Sequence, residues 1–270
     1  MGKTKKKSSK PSSSKKSLTV VKDAKIYVDN PNKPMRNKFI PDYEITDNKA
    51  FESIIFKLKK DQTIINNHGC MSYMDADVIT KTSSRGGILK GLFRSALTSA
   101  SMFMTRYTGS RNNNILCNAS FFSGEILPVI VKPGMKVMVS PHSLICFTDN
   151  LDINSKRRLR GMFASEGIYQ SEFVNSSDED GMVWLTAYGG YKKLSLKNDE
   201  SIKLDNGLFL CSNTETKYDI SMVGNLKTTV FSGEGLAMLF HGPCEIYMHS
   251  RNFDALVKYI VRRCPPCRNN

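Results

Sequence analysis

The side chains best suited to ligand, nucleophile or acid–base work in this 270-residue chain are four histidines, seven cysteines and a few placed carboxylates. His68 and His142 fall in matching turns of two related segments, and a metal shared between them would make a metal-dependent enzyme. Zinc sites use three or four protein ligands, and the corresponding turn of a third segment offers only Asn206 and Gly207. Polar turn residues are therefore the simpler reading of both histidines. His241 and His249 alternate with apolar residues around a hairpin and read as surface strand positions. Cys264 and Cys267 form a CPPC with the C-x-x-C spacing of redox pairs and zinc half-sites. Redox use calls for a helix N-terminus to depress the thiol pKa, whereas this pair follows a predicted helix. The chain has no second C-x-x-C to complete a zinc site, which leaves an intermolecular zinc or disulfide between two tails. Cys70, Cys117, Cys146, Cys211 and Cys244 sit in apolar strand contexts and read as buried free thiols. Glu166 and Glu234 occupy matching turns and read as acceptors of backbone N–H bonds rather than as an acid–base pair. A phosphate-binding glycine loop, a GxSxG elbow and a metalloprotease helix motif are all missing from the sequence. The expectation is a protein that is not an enzyme and carries no cofactor.

Charge gives a second kind of chemistry. The formal net charge is +14, but residues 1–22 hold eight lysines and residues 258–270 four cations, with no acid in either segment. Removing those twelve leaves a nearly neutral body, unlike the charged face of a whole-domain nucleic-acid binder. The tail GKTKKKSSKPSSSKKS cannot bury enough apolar surface to offset its ordering entropy, so it reads as disordered. Lys3, Lys5, Lys6, Lys7, Lys10, Lys15 and Lys16 would bind nucleic acid or another anionic surface with strong salt dependence, or only solubilise the chain. The tail lacks the arginines and apolar face of a mitochondrial presequence, and Lys6 breaks the myristoylation motif that Gly2 begins.

The elements that must position these groups come from self-comparison. FKLKKDQTIINNHGCMSYMD (56–75), VIVKPGMKVMVSPHSLICFTD (129–149) and LSLKNDESIKLDNGLFLCS (194–212) share one pattern. Leu58, Val131 and Leu196 align, as do Ile64, Val137 and Ile202, and the turns Lys60-Asp61, Pro133-Gly134 and Asn198-Asp199 coincide. Residue-by-residue alternation, as in Val137-Met138-Val139, is the strand period. The prediction is an all-β protein of three pseudo-symmetric sandwich-like or barrel-like repeats, over about 38–124, 125–190 and 191–251. A Lys/Ser tail (1–22) precedes them, and a C-terminal helix (252–263) and a flexible CPPC tail (264–270) follow. In the helix Phe253, Leu256, Val257, Ile260 and Val261 make one stripe, expected to dock on the body, with Asn252 as N-cap. A second helical turn or packed loop is expected within 86–98. With about 70–75% of its unfolded surface buried, a chain this long needs no staple to fold. Its apolar runs, such as Ile126–Val131, are far too short to span a bilayer as a helix.

The string Gly69-Cys70-Met71-Ser72-Tyr73-Met74, then Gly86-Gly87, Gly91, Arg94-Ser95 and Phe103-Met104, resembles the altered inheritance of mitochondria protein 24 family. Ser232-Gly233-Glu234-Gly235, Phe240, Gly242-Pro243 and Ser250 match that family's C-terminal signature, and the resemblance covers about residues 40–250. It implies a fold like that of the tryptophan RNA-binding attenuator superfamily, an all-β sandwich assembly. It also implies a non-catalytic protein, which in the fungal branch supports inner-membrane and cristae organisation. Ser99-Ala100-Ser101 stands in place of the family's Gly-Glu-Ser, and the Lys/Ser tail and CPPC end lie outside its pattern, so the mitochondrial role is not carried over.

These readings combine into a homo-oligomeric structural or scaffold protein, with a nucleic-acid-associated protein and a metal-binding enzyme at His68 and His142 as alternatives. An odd cysteine count and no recognisable export signal point to a reducing compartment, the cytoplasm first. Asn-, Lys- and Ile-rich usage suits an AT-rich genome, and a virion component is the corresponding expectation if the source is a large DNA virus.

Overall fold

The computed structural model describes residues 24–46, 48, 50–83, 104–158, 168–222 and 236–264. The lysine tail, Cys267, Glu166, Glu234 and the 86–98 segment lie outside these residues. Two leading strands, β1 (Tyr27–Val28) and β2 (Asp42–Ile45), precede three successive groups of six. The first group is β3 (Ser53–Leu58), β4 (Thr63–Asn67), β5 (Met71–Met74), β6 (Ile79–Ser83), β7 (Met104–Thr108) and β8 (Asn114–Ala119). The second is β9 (Gly124–Val131), β10 (Lys136–Val139), β11 (Leu144–Thr148), β12 (Leu151–Arg158), β13 (Ile168–Asn175) and β14 (Gly181–Tyr188). The third is β15 (Tyr191–Leu196), β16 (Ser201–Asp205), β17 (Phe209–Asn213), β18 (Lys217–Met222), β19 (Leu236–His241) and β20 (Cys244–His249). Among the described residues one helix, α1 (Phe253–Val261), follows.

Each group pairs its strands in the same way. First, sixth and third strands share one sheet, and second, fifth and fourth share the facing one. The turn from first to second strand therefore carries the chain between layers. All three such turns close with the same i to i+3 backbone bond, from Gln62 to Lys59, Met135 to Lys132 and Glu200 to Lys197. All three place a positive φ at the third residue, Asp61 (64°), Gly134 (74°) and Asp199 (65°). Asp and Gly are among the residues that tolerate this left-handed geometry, so the turn chemistry is written in the sequence.

Neighbouring groups then join edge to edge, β4 to β11 and β10 to β17. Among the described residues the result is four sheets: sheet I (β2-β3-β8-β5), sheet II (β1-β9-β14-β11-β4-β7-β6), sheet III (β12-β13-β10-β17-β20-β15) and sheet IV (β16-β19-β18). Three cores lie between them. Ile54, Phe56 and Leu116 of sheet I meet Ile64, Ile145 and Trp184 of sheet II. Ile65, Phe147 and Val183 of sheet II meet Val137, Phe173 and Tyr247 of sheet III. Met138, Phe209 and Ile246 of sheet III meet Leu204, Met238 and Phe240 of sheet IV. Adjacent residues such as Ile64 and Ile65, or Val137 and Met138, enter opposite cores because a strand alternates its faces. Sheets II and III are thus covered on both faces, and β11 and most of β14 are buried throughout.

Candidate interaction surface

The groups that could have done chemistry are placed first. Cys70, Cys117, Cys146, Cys211 and Cys244 are buried free thiols, and Cys264 is exposed. Burial pushes the Cys70 and Cys244 thiols up to about 11, far from the thiolate form that attacks or ligates. His68 and His142 are exposed in their turns. Among the described residues no group of three or more His, Cys, Asp or Glu is placed to hold a metal ion. A polar cluster around Asp75 and Asp77 is satisfied internally. Asp75 Oδ2 accepts from the Ile115 N–H at 3.0 Å and Arg111 Nη2 at 2.9 Å, and Asp77 accepts from Ser110 Oγ and Asn114 Nδ2 at 2.8 Å. The Ile115 N–H holds Asp75 below the usual carboxylate range, and the Ser110 hydroxyl does the same for Asp77.

His249 corrects the sequence reading. It is 7% exposed rather than a surface position. Its Nδ1 accepts the Tyr188 N–H at 3.0 Å and its Nε2 lies 3.1 Å from Ser143 Oγ. The accepting Nδ1 places the proton on Nε2, which donates to the hydroxyl. Burial pushes the imidazole pKa down to about 4, so the ring is a neutral tie between the third group of strands and the second. The signal was available: Tyr247 and His249 are two apart on one strand, so they share the face that enters the core between sheets II and III.

From His249 onward the chain builds the base of α1. Ser250 N donates to Gly190 O at 2.9 Å. Asn252 caps the helix, accepting from Ala255 N at 3.1 Å, and donates through Nδ2 to Asp205 Oδ2 at 2.7 Å. A Cβ on Gly207 would come within 2.6 Å of Asn252 Nδ2, so glycine there lets the cap approach. Phe253 packs on Phe122 (centroids 4.4 Å) and Tyr188 (5.7 Å).

Beyond that footing the helix stands free, a second correction, because the stripe was expected to dock. No residue of α1 is buried. Leu256 is 37%, Ile260 49% and Val261 63% exposed. Lys258 lies on the opposite face of the helix, with Arg262 and Arg263 in the turn that follows. Amphipathicity says which face is apolar; it does not say that the covering surface belongs to the same chain.

These observations define an all-β protein of three like-connected units whose described reactive groups are largely buried. The chain belongs to the mitochondrial biogenesis AIM24 family, whose model matches residues 43–251. It is 23% identical over 236 residues to an uncharacterised protein of Streptococcus pyogenes serotype M6, covering 84% of this chain and 92% of that one. A Streptococcus pyogenes protein of known crystal structure shares the fold, with a TM-score of 0.67 at 19% identity over 82% of this chain and 99% of that chain. No helix among the described residues is long and apolar enough to cross a membrane.

Proposed function

We propose that this protein is a non-enzymatic structural protein that works by assembly, with further copies of itself as the first partner. The observation that carries this reading is α1, a helix footed on the body by Asn252 and Phe253 while Leu256, Val257, Ile260 and Val261 stay open to solvent. Contiguous apolar surface of this kind marks a contact site rather than an accident of composition. The pair L256E/I260E tests it. Both side chains are exposed, so the melting temperature is expected to hold while the mass by light scattering falls to a smaller species; an unchanged mass removes the helix from the account.

The charge distribution supports a tether as well. Eight lysines and no acid within residues 1–22 suit a polyanion, and the described chain begins beside β20, where Glu245 N donates to Ala24 O. Deleting residues 1–17 is expected to abolish nucleic-acid binding together with its steep salt dependence. Binding that survives the deletion contradicts the tether.

A further inference from the structure

The edges of sheets I and IV carry a consequence of the repeated connectivity. At each internal junction the second strand of one group pairs antiparallel with the third strand of the next. Between β4 and β11 the partners are Asn66 with Cys146, Ile65 with Phe147 and Ile64 with Thr148. Between β10 and β17 they are Val139 with Cys211, Met138 with Ser212 and Val137 with Asn213. The third strand of every group also carries its irregularity at the same place, between Leu144 and Cys146, Phe209 and Cys211, and Met71 and Tyr73. Among the described residues one second strand and one third strand are left without such a partner: β16, at the edge of sheet IV, and β5, at the edge of sheet I.

Of the two, β5 is shaped unlike the other edges. Natural sheets guard exposed edges with charge, proline or shortness, because unpaired N–H and C=O groups recruit another strand. The edge strands β2, β6, β12, β15, β16 and β18 each contain at least one charged residue, and β1 is two residues long. β5, Met-Ser-Tyr-Met, has neither charge nor proline. Met71 is 38% and Tyr73 53% exposed, whereas every residue of the corresponding strand β11 is buried. On β16 the exposed Ser201 and Lys203 flank a half-buried Ile202.

We infer that β16 of one copy pairs antiparallel with β5 of a second copy, repeating between chains the junction that the fold makes twice within one. Transferring the internal register places Leu204 opposite Tyr73, Lys203 opposite Met74 and Ile202 opposite Asp75. The two strands lie in separate sheets of a single chain, so the partner that completes them is another copy. The contact is head to tail, with different strands on the two sides. Such an interface closes into a ring or extends as a filament rather than stopping at a twofold dimer. This inference rests on the assembly reading and names a surface for it that is distinct from α1.

The test uses full-length chains with C264S and C267S, one carrying M74C and the other K203C, mixed under mild oxidation. The expected result is a reducible dimer in the mixture and none from either chain alone, with a ladder of multiples from the chain bearing both substitutions. A double variant that cross-links only within single chains overturns the inference. Light scattering on the unmodified protein separates the two failures: multimers without the mixed cross-link leave assembly standing and reject this junction, while a strict monomer rejects both. Y73K, which adds the missing edge charge at an exposed position, is expected to lower the mass without changing the melting temperature. A mass unaffected by Y73K also counts against β5.

Discussion

His249 shows how a residue with catalytic potential becomes a structural tie. Both ring nitrogens are occupied, by the Tyr188 N–H and the Ser143 hydroxyl, which join β20 to the end of β14 and to the turn before β11. Folding lowers its pKa from 6.5 to about 4, so the unfolded chain takes up the proton first as the pH drops. The stability this contributes is complete above pH 6.5 and is lost as the pH falls through about 4, about 3 kcal/mol in all. Urea titrations at pH 7 and pH 4 should therefore show the wild type losing about 3 kcal/mol more than H249Q, which keeps one acceptor and one donor but does not titrate. Equal losses would contradict a buried neutral imidazole. The cysteines tell the same story at lower stakes: apolar flanks in the sequence marked five of them as interior, and five are buried.

At the scale of elements, the two-faced strands carry the fold. In β11, Cys146 faces the core between sheets I and II while Phe147 enters the next one and meets Phe173 at 5.1 Å between centroids. Phe147→Ala should cost about 3–5 kcal/mol, a cavity in an interior with no room to collapse. Phe51→Ala, at a side chain 67% exposed, should stay within about 0.5 kcal/mol. Denaturant midpoints of the two variants check the contrast, and similar values would mean that the middle core is looser than its packing. Strand identity was legible because alternation and turn residues are local. The burial of both faces of β9, β11 and β14 follows from a sheet that lies between two others, which no local window reports. The position of α1 was hidden for a related reason. Its stripe and its Asn252 cap are local, but whether anything covers the stripe depends on what stands opposite.

For the whole molecule, the all-β class and the C-terminal helix could be read in advance because they rest on periodicity. The layering of four sheets could not, since β4 with β11 and β10 with β17 pair across about seventy to eighty-five residues of chain. Among the described residues the same layering leaves two sheets closed within the interior, an apolar helix outside it, and edges at β5 and β16 unjoined, which are the surfaces the proposed assembly would use. The measurement closest to this account is the mass of the unmodified full-length chain by sedimentation or light scattering across a wide concentration range. Assembly predicts multiples of the 30.3 kDa chain that grow with concentration or settle at a closed ring. A particle of one chain mass at every concentration would contradict it.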